Sequence, residues 1–190
     1  MSHTVVVYHS GYGHTRKQAE AVQQGAAGVP GASAELVEIN AEGQLAEGGW
    51  EKLEKADAIV FGSPTYMGGP SWQFKRFADA SSKPWFGSKW KNKVAAGFTN
   101  SASMNGDKLS TLHYMFTLSQ QHSMIWVGTG LMPSNSKAAT RNDINYVASF
   151  SGAMASTPSD ASVDEMLPGD LETARRFGER IAAVTARFNR

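Results

Sequence analysis

Five short apolar runs, separated by helical patterns, constrain the fold of this chain more than any other feature of its sequence. They read TVVVYHS (4–10), AELVEI (34–39), DAIVFGS (57–63), KVAAGFT (93–99) and SMIWVG (123–128). Runs this short and this continuously apolar are typical of strands that are buried on both faces of a sheet. Strands that alternate with helices predict a parallel sheet whose right-handed crossovers place helices on both faces.

The segments between these runs carry apolar residues at intervals of three and four, the spacing of a helix with one buried face. Five strands and a terminal helix predict a doubly wound, five-stranded α/β domain with strand order 2-1-3-4-5. The stripes that carry these expectations are Ala19, Val22 and Ala26; Phe74, Phe77 and Ala78 in 71–80; Leu109, Leu112, Phe116 and Ser119; and Leu171, Ala174, Phe177, Ile181, Val184 and Phe188, with Asp170 or Gly169 as N-cap.

The segment 129–168 lies between the predicted fifth strand and the last helix and is rich in Ser, Ala, Asn and Thr. A loop this long inside a compact domain is usually functional or part of an interface, although surface decoration is the alternative. Because neither a repeat nor a linker is visible, we predict one domain over residues 1–190, with 129–168 as a long insert.

Composition excludes several classes of function. The chain has 18 basic and 17 acidic residues, a net charge of +1, which predicts no nucleic-acid partner. One cluster, SKPWFGSKWKNK, interleaves lysines with tryptophans as single-strand binders do, but a solvated connection before a strand is the favoured interpretation. Cysteine is absent, which fits a reducing cytoplasm, and no apolar stretch approaches the roughly 20 residues of a membrane span. The spacing of His3, His9 and His14 matches no metal motif, so no metal site is predicted.

Ligands of doubly wound sheets bind beyond the carboxyl ends of the strands, so the loops from residues 10, 64, 100 and 129 are the candidates. The first loop has Arg16 where a dinucleotide fingerprint needs its third glycine, and it lacks the Gly-Lys-Ser/Thr of a P-loop. Its glycines, hydroxyls and helix N-terminus instead predict a site for a terminal monophosphate held by neutral donors. An ordinary capped turn is the alternative. The residues concerned are Ser10, Gly11, Tyr12, Gly13, His14 and Thr15.

Two segments, HSGYGHTRKQAEAV (9–22) and GSPTYMGGPSWQFKRFAD (62–79), resemble those of flavodoxin-like proteins, specifically the WrbA-type NAD(P)H:quinone oxidoreductases. The similarity runs from residue 4 to about residue 128. It implies an FMN cofactor whose ribityl phosphate lies on the first loop. The second loop would line one edge of the isoalloxazine through Pro64, Thr65, Tyr66, Met67 and Gly68. The third would hold the pyrimidine edge through Asn100, Ser101, Ala102, Ser103, Met104 and Asn105.

The resemblance also implies the reaction: NADH or NADPH reduces the flavin, and a quinone or similar planar acceptor then takes two electrons from it, with ping-pong kinetics. Trp85 and Tyr12 are expected to wall the acceptor slot, and His122 to donate a proton to the acceptor. Plain packing under a loop is the alternative for Trp85, and a charge at a helix C-terminus is the alternative for His122. The resemblance implies that the protein assembles as a dimer or tetramer, with sites completed across an interface, so a homo-oligomer is expected.

Departures from the family leave other functions open. The third loop reads TNSASMNGD where the family is glycine-rich, and Tyr66 stands where an arginine is common. The alternatives are a flavodoxin-type electron carrier and a binding protein that has lost the cofactor. Carriers of that group are strongly acidic, which this chain is not, and the intact first loop argues against loss of the cofactor. Azo-dye or nitroaromatic reduction is not separated from quinone reduction.

Overall fold

The computed structural model describes residues 2–189 and is built around one mainly parallel sheet. Its long strands are β1 (Ser2–Tyr8), β2 (Ala32–Glu38), β3 (Ala58–Tyr66) and β5 (Val94–Ser101). The short β4 (Gly69–Pro70) pairs antiparallel with the end of β3. The strands lie in the order β2-β1-β3-β5, and a fifth position follows beyond β5. The predicted α/β fold is therefore confirmed, and β5 is the fourth long strand of the prediction.

Helices cover both faces of the sheet, because alternate residues of each strand point to opposite faces. The helices are α1 (His14–Ala27), α2 (Gly49–Lys55), α3 (Trp72–Ala80), α4 (Ser82–Phe86), α5 (Lys108–Gln121) and α6 (Pro168–Phe188). On one face Val6 and Tyr8 pack against α1 and α6, and on the other Val5 and Val7 face α2, α3 and α5.

Two glycines let α1 and α6 touch backbone to backbone. A Cβ at Gly25 would lie 1.8 Å from the carbonyl oxygen of Arg175, and one at Gly178 would lie 2.0 Å from that of Val22. Any larger side chain at either position would force the two helices apart. This close contact fixes α1, and with it the loop that precedes its N-terminus.

Two details of the helix predictions are wrong. In α5 the buried stripe is Lys108, Thr111, Leu112, Met115 and Ser119, whereas Leu109 and Phe116 are exposed. Apolar spacing misplaced the stripe because polar residues that are hydrogen-bonded inside the protein occupy part of it. The last helix begins at Pro168 with Leu167 as its N-cap, so neither Gly169 nor Asp170 caps it.

The fifth strand position is divided between two segments. β6 (Ile125–Trp126) pairs with Val94 and Ala95 at the start of β5, and β7 (Ala153–Ser156) pairs with Phe98–Ser101 at its end. Residues 129–168 are therefore not one insert between a strand and a helix, as predicted. The interruption is the segment 127–152, which we call the strand-five loop, and after it the strand resumes.

The strand-five loop is closed by hydrogen bonds between its own ends. Thr129 donates through its backbone N–H to Phe150 O (3.0 Å) and through Oγ1 to Ser149 O (2.8 Å). Asn145 also links the two ends, since its Nδ2 donates to Leu131 O at 3.0 Å and to Ser149 O at 3.2 Å. The two halves of the strand are thereby held in line across the interruption.

A buried carboxylate ties this loop to the rest of the domain. Asp170, 2% exposed, accepts hydrogen bonds from the backbone N–H of Ser156 (2.9 Å) and from Arg141 of the strand-five loop (3.0 Å). The chain that leaves β7 is therefore fixed at the carboxyl end of β5.

None of the helices described within residues 2–189 is both long and apolar enough to cross a membrane.

Candidate functional site at the strand ends

A cleft of about 280 Å³ opens where β1, β3 and β5 end. This is the point at which strand order reverses between β1 and β3, where sheets of this type bind their ligands. The structure brings three of the four candidate loops to this cleft, those from residues 10, 64 and 100. The loop from residue 129 does not line it, and a segment that follows β7 does. The lining residues are Tyr12, His14, Thr15, Pro64, Thr65, Tyr66, Asn100, Ser101, Ala102, Thr157 and Ser159.

The first loop offers hydrogen-bond donors to the cleft. Ser10 Oγ accepts the N–H groups of Gly13 and Arg16, each at 3.1 Å, so the hydroxyl hydrogen itself remains free to donate. Gly13 has a φ of 91°, a left-handed conformation that glycine adopts without steric cost. The backbone N–H groups of Gly11, Tyr12, His14 and Thr15 donate to no acceptor within residues 2–189. Unpaired donors at a helix N-terminus form an anion site.

The basic side chains near this loop are engaged elsewhere. Arg16 pairs with Glu38, and Lys17 lies 3.9 Å from Asp164. His14 Nε2 donates to the carbonyl oxygen of Ala161 at 2.9 Å. An anion in the cleft would therefore be held by neutral amides and hydroxyls. The Thr15 hydroxyl belongs to a side chain 2% exposed and has no partner among the described residues, so it is available as one of these donors.

The second loop is a tight hairpin between β3 and β4. Its turn residues, Met67 and Gly68, have φ angles of 48° and 78°, as a two-residue type I′ turn requires. Both residues were predicted to line the cleft, but they lie at the hairpin tip, where Met67 is fully exposed, and neither is among the lining residues.

The base of this hairpin is anchored by Thr65, whose buried hydroxyl contacts the hydroxyls of Thr99 (2.7 Å) and Thr111 (2.8 Å). Tyr66 leaves the base toward the first loop and meets Tyr12 edge-on, with ring centroids 6.4 Å apart. These two tyrosines form the outer wall of the cleft.

The third loop is organised by a residue that the sequence did not single out. Lys108 is fully buried, and its Nζ donates to Ser101 Oγ (2.9 Å), Ser103 O (2.7 Å) and Met104 O (2.9 Å). Burial lowers the pKa of this lysine to about 8. A lysine at the first position of a helix ordinarily reaches solvent, so the sequence carries no signal for this role.

Only the first part of the third loop lines the cleft. Asn100, Ser101 and Ala102 do so, while Met104 borders a neighbouring hollow beside Arg141. Ser103 and Asn105 are exposed and line neither space.

The fourth segment was also missed by sequence reasoning. Thr157 donates through Oγ1 to Asn100 Oδ1 at 3.0 Å, and Ser159 follows it along the cleft. Their arrival depends on the divided fifth strand, whose second half the sequence did not reveal.

The predicted catalytic residues His122 and Trp85 lie elsewhere. α5 begins beside the cleft and ends at the other end of the strands, near their amino termini, where His122 follows it. Trp85 Nε1 donates to Gln121 O at 2.9 Å at that same end. Within one chain neither side chain lines the cleft, and Tyr12 alone of the three predicted catalytic residues does. The catalytic roles of His122 and Trp85 stay predictions.

At that end of the strands the contacts of His122 hold the fold together. Ser81 Oγ donates its single hydrogen to Ala78 O (2.6 Å), so His122 Nε2 is the donor in its 2.9 Å contact with Ser81 Oγ. The imidazole packs on Trp90 with centroids 4.1 Å apart, and burial lowers its pKa to about 4.

The fold and the cleft together define a flavodoxin-like α/β protein whose first loop presents uncharged N–H donors to the cleft. The family model of NADPH-dependent FMN reductases matches residues 9–138, more than half of the chain. A flavodoxin, WrbA-like protein from Agrobacterium tumefaciens is 52% identical, with a TM-score of 0.78 over 98% of this chain and 99% of its own. This chain therefore belongs to the NADPH-dependent FMN reductase family, and its resemblance to the WrbA-type proteins is confirmed.

Two curated relatives span nearly the whole chain. Flavodoxin FldP from Pseudomonas aeruginosa (strain UCBPP-PA14) is 50% identical over 97% of each chain. An NAD(P)H dehydrogenase (quinone) from Geobacter sulfurreducens (strain ATCC 51573 / DSM 12127 / PCA) is 32% identical over 97% of this chain and 98% of its own. A flavodoxin from the domain Archaea, at 18% identity and a TM-score of 0.63, shares the fold.

The environment of His122 predicts a dependence of stability on pH. Its folded pKa of about 4 lies below the ordinary 6.5, so between these values the unfolded chain binds a proton that the folded chain excludes. The free energy of unfolding should therefore fall as the pH drops from 6.5 to 4, by about 3 kcal/mol from this residue. His122→Gln keeps a donor at the position of Nε2 and cannot titrate. Urea unfolding of both proteins at pH values from 7 to 4 measures this dependence. If the free energy of unfolding fell equally with pH in the wild type and in His122→Gln, the prediction would be contradicted.

Proposed function

We propose that this protein is an FMN-dependent NAD(P)H oxidoreductase that reduces quinones or similar planar acceptors by two electrons in a ping-pong cycle. The observation that carries the proposal is a cleft with a row of unpaired N–H donors on each of two of its loops. One row belongs to Gly11, Tyr12, His14 and Thr15, and the other begins at Ala102 on the cleft wall and continues beyond it to Asn105. None of these N–H groups has an acceptor within residues 2–189. A ligand with a phosphate at one end and a polar planar edge at the other fits both rows.

The first loop fits the terminal phosphate of FMN. Its backbone amides, the Thr15 hydroxyl in the cleft and the Ser10 hydroxyl behind it are uncharged donors that suit a buried monophosphate ester. Gly11 adds to the fit, since a Cβ there would lie 2.6 Å from the hydroxyl oxygen of Tyr66 and would crowd the loop. The pyrophosphate of a dinucleotide is esterified at both ends and would need an opening beyond the helix N-terminus.

When bound, FMN supplies the redox chemistry, and the chain supplies binding, orientation and electrostatics. The N–H groups between Ala102 and Asn105 would stabilise negative charge on the pyrimidine edge of the ring. Tyr12, 78% exposed, and Tyr66, 40% exposed, flank the mouth of the cleft, where a planar molecule can stack on them. A single mouth admits the nicotinamide and the acceptor in turn, which is the basis for proposing ping-pong kinetics.

The relatives support an enzyme, and one of them supports the second candidate. The Geobacter sulfurreducens relative is named an NAD(P)H dehydrogenase (quinone), and so are relatives from several other bacteria. The Pseudomonas aeruginosa relative is named a flavodoxin, which favours a carrier of electrons between proteins. Such carriers are strongly acidic, whereas this chain has 18 basic and 17 acidic residues, so we prefer the enzyme.

We further propose that the protein works in the cytoplasm as a homo-oligomer. The absence of cysteine agrees with a reducing compartment. Self-association is supported by α5, whose exposed side chains include Leu109 (51% exposed) and Phe116 (41%) and no acidic or basic residue apart from His113. An uncharged helix surface with large apolar side chains is typical of an interface.

Thr15→Glu tests the phosphate site. The new carboxylate would face the phosphate across a few ångströms, so the dissociation constant for FMN should rise by about 100-fold or more. Thr15→Gln has the same size without the charge and should bind FMN far better than the glutamate variant. Fluorescence titration with FMN measures both, and circular dichroism shows that both are folded. Equal affinities of the two variants would contradict the placement of the phosphate.

Reaction with nicotinamides separates the enzyme from the carrier. On anaerobic mixing of the FMN-loaded protein with NADH or NADPH, the flavin absorbance should bleach at a rate on the order of 1–100 s⁻¹. Free FMN with the same nicotinamide is the control. A protein that binds FMN and is bleached by dithionite but by neither nicotinamide would be the carrier.

Light scattering tests the oligomer. The subunit mass is 20.4 kDa, and the full chain should scatter as a dimer or tetramer. Replacing Leu109 and Phe116 together by glutamate should yield a monomer, because charges on the proposed interface must stay in water. Phe86→Glu changes an even more exposed apolar residue, on α4, and should leave the mass unchanged. A monomeric wild-type protein would contradict the proposal.

A further inference from the structure

Lys108 is a buried cation, and the contacts that hold the fold together do not explain why the desolvation cost of its ammonium is tolerated. It occupies the first position of α5, where the positive end of the helix dipole disfavours a cation. Of the charged groups around it, Asp170 attracts the ammonium and Arg141 repels it. Asp170 is itself paired with Arg141, so among residues 2–189 Lys108 has no ion-pair partner of its own. Its three hydrogens all go to the third loop, at Ser101 Oγ, Ser103 O and Met104 O.

The geometry of the peptide bond connects this ammonium to the loop's donors. In a trans peptide the carbonyl and the following N–H point in opposite directions, and no peptide in the described chain is cis. Because the carbonyls of Ser103 and Met104 turn inward to Lys108, the N–H groups of Met104 and Asn105 turn outward. Neither of these N–H groups has an acceptor within residues 2–189.

The loop closes tightly around the ammonium. Ser101 Oγ accepts from Lys108 and donates to Ser103 O at 3.0 Å. Gly106 passes so near that a Cβ there would lie 2.2 Å from Ser101 Oγ. The same Ser101 lines the cleft, so the cation sits one side chain behind the cleft wall.

We propose that Lys108 is a positioning residue that turns the third loop's amides toward the pyrimidine edge of bound FMN and, through its charge, favours the reduced cofactor over the oxidised one. The inference rests on the proposed function, because it requires FMN in the cleft. Two-electron reduction with uptake of one proton leaves one added negative charge on the isoalloxazine. A fixed cation and aligned N–H groups behind that edge stabilise this charge more than they stabilise the neutral ring.

Lys108→Met tests the inference through the reduction potential of bound FMN, which a merely structural role would not move. We expect the ratio of the dissociation constants for reduced and oxidised FMN to rise about tenfold, equivalent to a midpoint potential lower by about 30 mV for a two-electron couple. Spectroelectrochemistry of the FMN-loaded protein measures the potential. Lys108→Arg keeps the charge and should recover most of the difference.

The chain offers a matched control in Lys93. Its Nζ also donates to backbone carbonyls, those of Glu54 (2.8 Å) and Ala56, and burial also lowers its pKa, but it lies at the opposite edge of the sheet. Lys93→Met should lower the melting temperature and leave the potential of bound FMN unchanged. Equal potentials in the wild type, Lys108→Met and Lys93→Met would overturn the inference.

A measurement on the unaltered chain covers the case in which Lys108→Met does not fold. On addition of FMN the amide resonances of Met104 and Asn105 should shift more than those of the hairpin tip, Met67 and Gly68. FMN binding without any shift at Met104 and Asn105 would overturn the inference and leave the proposed function standing. Failure of the wild type to bind FMN at all would overturn both.

Discussion

Parallel pairing of β1, β3 and β5 is the constraint on which the site depends. Parallel strands all end at the same edge, so the loops that follow them must meet there whatever their sequences. Apolar residues on both faces hold the strands in this register, and two helix layers seal them. The cleft is thus a consequence of strand order, and the loops decide only what it can bind.

The loops provide binding capacity mainly through unpaired backbone groups. Burying charged donors would carry a desolvation cost, whereas amides at a helix N-terminus or in a turn are already oriented. The basic side chains nearest the cleft accordingly stabilise the surrounding structure. Arg16 pairs with Glu38, Arg141 pairs with Asp170, and Lys108 donates hydrogen bonds to loop carbonyls. The proposed anion site would select its ligand by the direction of its N–H groups as well as by charge.

The divided fifth strand shows how an interruption of the sheet becomes part of the site. The strand-five loop leaves after β6 and returns at β7, and Asp170 holds the returning chain to α6. Thr157 and Ser159 reach the cleft only because this return ends at the same edge as β5. Length and composition marked the region as unusual but did not show that it contains a strand.

The sequence by itself determined the alternation of strands and helices, the strand order and the first loop, since buried apolar runs and glycine-rich turns are local signals. Only the tertiary structure decided the buried phase of α5, the ammonium of Lys108 under the third loop, the second half of the fifth strand and the remote positions of His122 and Trp85. Each of these depends on partners distant in sequence, such as Thr111 with Thr65 or His122 with Ser81. A side chain's own neighbours in the chain carry no record of such contacts.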